Sequence, residues 1–172
     1  MRKTIKNICL TLTAMFLALP VMAEPVNINV TGNIVASPCT VNGGSNSLSV
    51  SLGDIQAASL QTAGATSPKK DFSINLTDCP AGTTSVKVVF SGTEDTDAGK
   101  NYYKNSGTAK NVAVALVEKS TGNLKGNGEN MTRNVTADKT VAFELEAQAY
   151  SVNGGVMPGT IQAAITADLT YQ

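Results

Sequence analysis

The chain of 172 residues lacks histidine and tryptophan altogether, and only 15% of its residues are charged. Without histidine, it cannot supply a Ser-His-Asp or Cys-His catalytic centre or an imidazole-bound metal. Its 13 basic and 13 acidic residues give a formal net charge of zero, so no basic surface indicates nucleic acid as a partner. These absences exclude much catalytic chemistry, and we expect a protein without enzymatic activity, metal or cofactor.

The first segment is typical of an export signal. Three basic residues precede an apolar stretch over residues 8–19, and small residues occupy positions −3 and −1 of a cleavage site after Ala23. That apolar stretch is too short to span a bilayer comfortably. The pattern predicts a cleaved signal peptide over residues 1–23 and export to the periplasm.

Cysteine is scarce, and cleavage of the signal would remove one of the three residues, Cys9. The mature chain would have 149 residues (172 − 23) and a net charge of −3 (10 − 13). Cys39 and Cys79 remain as an even pair in an oxidising compartment, whereas a metal site would need further cysteine or histidine. The sequence predicts a disulfide that closes a loop of about 40 residues and stabilises the fold by ~4 kcal/mol.

Apolar residues in the mature chain recur mainly at a period of two. Turn-forming stretches rich in glycine, asparagine and serine separate these segments, and only residues 54–60 show a weak helical period. Alternation of this kind is typical of half-buried antiparallel strands. The pattern predicts a single all-β domain of the sandwich type, with strands over residues 26–34, 72–76, 86–90, 112–116, 141–149 and about 160–172.

The two ends of the mature chain are unusual for a sandwich. The last predicted strand has no further strand after it to cover the core, and residues 26–34 form an additional apolar strand before the first cysteine. These two features indicate a strand that one molecule donates to the next. The alternative is that the two strands pair within one chain.

Three motifs carry a resemblance to a known family. They are GNIVASPCTV (32–41), FSINLTDCP (72–80) and GTIQAAITADLTYQ (159–172). Gly159 lies fourteenth from the end and Tyr171 is penultimate, as in that family. Over the whole mature chain, the sequence resembles the chaperone–usher pilins, the type 1 fimbrial subunit family.

The resemblance implies an incomplete immunoglobulin-like β-sandwich that lacks its seventh strand. It divides the chain into a signal peptide (1–23), an N-terminal donor extension (24–31, with its apolar face continuing to 34) and a pilin domain (32–172). A periplasmic chaperone would supply the missing strand and hold the C-terminal carboxylate. At the outer-membrane usher, the extension of a neighbouring subunit would replace it, giving a cell-surface fimbria that supports adhesion.

The resemblance also assigns residues to the two partners of this exchange. The donated strand would carry Val26, Ile28, Val30, Gly32 and Ile34. The chaperone and acceptor edge would consist of Gly159, Ile161, Ala163, Ile165, Ala167, Leu169, Tyr171 and Gln172.

Other interpretations remain open at this point. The chain could be a minor adaptor or terminator subunit of the same pathway, or a monomeric secreted β-sandwich that binds carbohydrate. Tyr102 and Tyr103 could form a partner surface, although packing at an edge strand is the simpler interpretation. Asp95 and Asp97 resemble the start of a calcium loop, but Ser106 occupies the place where such a loop needs glutamate.

Overall fold

The computed structural model describes residues 27–33 and 37–172. The chain divides into two units, residues 1–33 and residues 34–172. The second unit is built from strands, with two short 3-10 helices at Asn42–Gly44 and Ala57–Leu60. In its described part, the strands are β1 (Thr40–Val41), β2 (Lys70–Thr77), β3 (Ser85–Gly92), β4 (Glu94–Asp95), β5 (Gly99–Lys104), β6 (Val112–Glu118), β7 (Asn130–Asn134), β8 (Val141–Ser151) and β9 (Ile165–Tyr171).

The strands form two antiparallel sheets around one hydrophobic core. The larger sheet has the order β1-β2-β8-β6-β5-β4, and the smaller one has the order β7-β3-β9. Val88 and Phe90 of the smaller sheet belong to the same buried cluster as Leu76, Phe143 and Leu145 of the larger one. The predicted all-β sandwich is therefore confirmed.

The central strand β8 shows why the period of two produces this fold. Alternate residues from Val141 to Ser151 are buried, and those between them are exposed or half-buried. On the buried face, Phe143 lies opposite Ile74 of β2, and Ala147 lies opposite Leu116 of β6. Because side chains alternate between the faces of a strand, this one stretch of sequence supplies both the core and a solvated surface.

The predicted disulfide between Cys39 and Cys79 is confirmed. Cys39 lies just before β1 and Cys79 shortly after β2, and both belong to the main core. The two strands pair directly, with Thr40 opposite Thr77. The disulfide thus ties together one end of this ladder, and the chain leaves the other end, at Val41, towards residues 46–55.

A smaller apolar cluster lies around Leu60, in the second 3-10 helix. Leu60 packs with residues that include Val112 and Ala149, and Leu52 and Ile55 lie against the cluster. The hydroxyl of Ser151 donates a hydrogen bond of 2.8 Å to the Leu60 carbonyl. This cluster therefore anchors the far end of residues 46–55, which form no strand or helix.

The last strand begins later than the sequence predicted. β9 starts at Ile165, not near Thr160, because Ile165 pairs with Gly92, the final residue of β3. Before that point, no residue of β3 remains for pairing. Residues 160–164 lie instead against the loop of residues 105–109.

Candidate functional site

A groove of about 940 Å³ opens along one side of β9. Residues 46–55 line one side of this groove, and residues 159–169 line the other. Core side chains that include Phe72, Ile74, Phe90, Leu116 and Leu145 also line it. The groove therefore exposes part of the hydrophobic core along the edge of the smaller sheet.

The β9 side of the groove combines apolar side chains with unused backbone groups. Ser85 and Gln172 exchange two backbone hydrogen bonds, of 3.1 and 2.9 Å, so the even-numbered residues of β9 face β3. The N–H and C=O groups of the odd-numbered residues consequently point to the other edge, where the described residues provide no partner strand. The side chains of these same odd-numbered residues pack partly buried against the core: Ile161, Ala163, Ile165, Ala167, Leu169 and Tyr171.

The opposite side of the groove is a segment that the sequence reading missed. Leu48, Val50 and Leu52 alternate with serine, which is the same period-two signal that identified the other strands. Within the described part of the chain, residues 48–55 make no backbone-to-backbone hydrogen bond. The side chain of Leu48 is 48% exposed. Among the described residues, backbone groups without a backbone partner therefore lie on both sides of the groove, although the Gly53 N–H donates to Ser51 Oγ.

The predicted acceptor residues at the two ends of this edge are held by contacts with other parts of the fold. Gly159 lies so close to the 105–109 loop that a Cβ atom would overlap the backbone N of Ala109. At the other end, the Gln172 carbonyl accepts hydrogen bonds from the backbone N–H groups of Thr84, at 2.6 Å, and Ser85, at 3.1 Å. Burial raises the pKa of the nearby Tyr171. Backbone contacts with neighbouring segments therefore hold both ends of the predicted acceptor row, Gly159 and Gln172.

The predicted donor residues can be described only in part. Ile28 and Val30 are 83% and 86% exposed, and Gly32 has open space around it. Residues 27–33 form no strand or helix. Val26 and Ile34 lie outside the described residues.

An ionic cluster lies beside the other edge of the smaller sheet, at β7. The Glu118 carboxylate, at the end of β6, lies 2.5 Å from the Arg133 guanidinium of β7 and 3.0 Å from Lys125 Nζ. Burial alone would raise the pKa of Glu118, but hydrogen bonds from Arg133, Lys125 and Thr121 outweigh it and lower the pKa to about 2. Glu118 and Lys125 are both buried. The cluster therefore connects the two sheets through side chains that the sequence pattern did not indicate.

Tyr102 and Tyr103 have separate structural roles. The Tyr102 ring stacks on Tyr150 with a centroid distance of 4.1 Å, on the outer face of the larger sheet. Tyr103 is buried, donates a hydrogen bond of 2.9 Å to the Lys125 carbonyl and contributes to the core. Burial, with a smaller contribution from Glu129, raises the pKa of Tyr103 to about 12. Packing thus accounts for Tyr103, while the Tyr102–Tyr150 pair remains half-exposed.

The acidic hairpin near Asp95 has a local structural role. The Asp95 carboxylate accepts hydrogen bonds from the backbone N–H groups of Asp97 and Ala98, at 3.0 and 2.9 Å. Among residues 27–33 and 37–172, no three acidic, cysteine or histidine side chains lie close enough together to hold a metal ion. In the same residues, no helix has the length and apolar character needed to cross a membrane.

Comparison with models of protein families shows which family this chain belongs to. The family model described as "Fimbrial protein" matches residues 28–172. The chain belongs to the fimbrial protein family. The predicted resemblance to pilins is thereby confirmed, and residues Gly159 to Gln172, with Cys39 and Cys79, lie within the matched region.

Individual fimbrial proteins are similar over nearly their whole length. FimG of Escherichia coli K12 is 41% identical over 88% of this chain and 87% of its own length. The fimbrial-like protein YdeR of the same strain is 37% identical over 94% and 93%. The crystal structure of the P pilus rod subunit PapA superposes with a TM-score of 0.64 at 21% identity, covering 79% of this chain and all of PapA. The last likeness supports the incomplete immunoglobulin-like fold.

Proposed function

We propose that the mature chain is a structural subunit of a surface fimbria, without enzymatic activity, and that donated strands join it to its neighbours. The observation that carries this proposal is the edge of β9, where apolar side chains and free backbone groups belong to the same odd-numbered residues. A strand laid along that edge would complete the hydrogen-bond ladder and cover the groove. Strand addition of this kind is a recurrent mode of protein recognition.

The donor extension has the chemistry that this groove requires. Val26, Ile28, Val30 and Ile34 follow one another at even spacing, so their side chains share one face of an extended strand. Burying four such aliphatic side chains contributes about 6–12 kcal/mol before the cost of ordering the segment. Gly32 interrupts the row where a missing side chain lets the backbone approach the groove closely.

Donation from one molecule to the next produces a fibre and not a closed dimer. The donating surface and the accepting groove are different parts of the chain, so each contact is heterologous and leaves one free groove and one free extension. Repetition of the same contact then extends the polymer at its ends.

The same features call for a partner before assembly. A groove that exposes core side chains beside an unpaired strand edge is an aggregation hazard in a monomer. A periplasmic chaperone that lends its own strand would protect this edge, and an outer-membrane usher would be the place of exchange. Gln172, fixed against β3 by Ser85, lies at one end of the edge that the chaperone strand would cover.

The proposal is tested with the mature chain and a synthetic peptide of residues 24–35. Without the peptide, we expect the chain to self-associate into polymers on refolding, as measured by size-exclusion chromatography and electron microscopy. A chain lacking residues 24–31 should remain unable to polymerise but should still bind the peptide. At a peptide concentration of about 100 times Kd, binding should raise Tm by roughly 5–10 °C.

The matched control is the same peptide with aspartate in place of Ile28 and Val30, which should leave Tm unchanged. Polymerisation of the chain that lacks residues 24–31, or equal stabilisation by both peptides, would contradict the proposal. A full chain that refolds alone as a monomer indifferent to the peptide would do so as well.

A further inference from the structure

The acceptor edge extends beyond the strand that supports it. β3 ends at Gly92, opposite Ile165, so residues 160–164 have no strand beside them on the β3 side. Yet Ile161 and Ala163 in this segment line the groove and pack against the core. Another part of the chain must hold these residues in line with β9.

The 105–109 loop supplies the missing backbone partners. The Gln162 N–H donates to Asn105 Oδ1 at 2.8 Å, and the Gln162 carbonyl accepts from the backbone N–H of Ser106, also at 2.8 Å. The Thr160 N–H donates to Thr108 Oγ1 at 2.8 Å, and the Thr160 carbonyl accepts from the Ala109 N–H at 3.1 Å. Both even-numbered residues are therefore bound on the β3 side, which leaves the odd-numbered backbone groups facing the groove edge.

Asn105 links the loop and the edge through one side chain. Besides Gln162, its Oδ1 accepts a hydrogen bond of 2.9 Å from the Gly107 N–H, and its Nδ2 donates one of 3.0 Å to the Ala109 carbonyl. The amide thus fixes the shape of the loop and its contact with the edge at the same time.

Two glycines allow the loop to come this close. A Cβ atom on Gly107 would overlap the Thr160 carbonyl oxygen, and one on Gly159 would overlap the Ala109 backbone N. Neither residue has a positive φ, so close approach and not backbone conformation explains both. This close contact explains why glycine occupies position 159, at the start of the motif over residues 159–172.

The length of the edge decides what the loop contributes. The apolar donor row from residue 26 to residue 34 spans nine residues, or about 30 Å at the rise of a strand. β9 alone offers seven residues, or about 23 Å, whereas residues 161–171 offer eleven, or about 36 Å. Only the edge that includes residues 161–164 can accommodate the whole donor row.

We propose that the 105–109 loop, through Asn105, sets the usable length of the acceptor groove, so that it takes the entire apolar row of a donated strand and not a shorter one. The inference rests on the proposed strand donation and adds a positioning role for residues outside the acceptor strand. With the loop detached, residues 160–164 lose alignment, and the groove accepts only the part of the donor that lies along Ile165–Tyr171.

The test measures coupling between the loop and donor length. Peptide 24–35 is compared with peptides 24–33, which lacks Ile34, and 27–35, which lacks Val26. All are titrated against the mature chain lacking residues 24–31. In the unsubstituted domain, whichever truncation removes the side chain above residues 161–163 should weaken binding about tenfold or more. In Asn105→Ala, the same truncation should weaken binding less than threefold, because the variant no longer uses that contact.

Two further variants keep the result interpretable. Asn101→Ala, an exposed asparagine on β5, serves as the matched control and should retain the full effect of truncation. Thr108→Val removes the hydroxyl that accepts from the Thr160 N–H and also hydrogen-bonds Thr160 Oγ1, and it should give an intermediate effect if Asn105→Ala fails to fold. Amide hydrogen exchange should accelerate at Thr160 and Gln162 in the loop variants and stay unchanged at Thr166–Thr170.

An equal effect of truncation in Asn105→Ala and in the unsubstituted domain would overturn the loop's role. Faster exchange spread evenly over β9 would overturn it as well, since that result reports general destabilisation. Failure of the unsubstituted domain to bind peptide 24–35 at all would instead reject the proposed strand donation.

Discussion

The two edges of the smaller sheet are built in opposite ways. At the β7 edge, Glu118, Lys125 and Arg133 connect the two sheets, and the carboxylate has partners at both oxygens. At the β9 edge, the odd-numbered residues have no backbone partner among the described residues, and they border a groove lined in part by core side chains. Charged side chains at a sheet edge discourage pairing with another strand, so the β7 edge differs from the β9 edge, which borders a groove that a donated strand would fill.

Removing the disulfide should have the largest effect on the stability of the fold. Replacing both Cys39 and Cys79 by alanine releases a crosslink between residues 40 positions apart, which the chain-entropy treatment values at ~4 kcal/mol. We expect the urea midpoint of the mature chain to fall accordingly. Reduction of the unsubstituted chain by dithiothreitol serves as the control and should produce the same loss. Unchanged unfolding in both cases would show that β1, β2 and the core hold this end without the crosslink.

Breaking the ionic cluster tests the β7 edge directly. Glu118→Gln keeps the shape of the side chain but leaves buried Lys125 without its counter-charge, so stability should fall by about 3 kcal/mol. Glu144→Gln, at an exposed position of β8, is the matched control and should change stability by less than about 0.5 kcal/mol. Equal stability of the two variants by urea denaturation would mean that the cluster does not fasten this edge.

Placing a charge in the groove tests the open edge. Leu169→Asp introduces a carboxylate among the lining side chains, and we expect the affinity for peptide 24–35 to fall about a hundredfold, since an unpaired charge resists burial. Thr170→Asp, one residue further on and exposed, should alter the affinity by less than a factor of about three. Similar losses in both variants, measured by titration, would argue against a binding face made of odd-numbered residues.

Acid should weaken the ionic cluster at the β7 edge gradually. The folded-state pKa of Glu118 is lowered from 4.5 to about 2, so its stabilising contribution is complete above pH 4.5 and is lost as the pH falls towards 2. The stability difference between the unsubstituted chain and Glu118→Gln should therefore be constant above pH 4.5 and shrink below it. Thermal unfolding at pH 7, 4.5, 3.5 and 2.5 measures this, and a difference independent of pH would refute it.

The sequence pattern predicts those parts of the molecule that depend on alternation or pairing of like residues. Residues 72–76 and 141–149 lie within β2 and β8 because apolar side chains at even spacing can be buried on one face only. Cys39 and Cys79 were predictable because two cysteines allow a single pairing. Leu48, Val50 and Leu52 carried the same signal, and they were missed among the many serines of that segment.

The remaining features depend on contacts between distant residues that no local period encodes. Glu118 meets Arg133 through the packing of two sheets, and Asn105 meets Gln162 across 57 positions of sequence. Asparagine followed by serine and glycine predicts a turn, but not what the turn binds. The start of β9 was placed five residues too early for the same reason, since it depends on where β3 ends.

The phase of β9 has a consequence for the accuracy of assembly. Each odd-numbered residue turns its backbone groups towards the open edge and its side chain into the groove. The backbone hydrogen bonds and the side-chain contacts of a donated strand would therefore require the same register. A donor that slips by one residue would direct its apolar row to solvent and its asparagines and threonine into the core. Each junction in a fibre would therefore strongly favour the correct register, because a slip of one residue would remove every apolar contact of the donated strand at once.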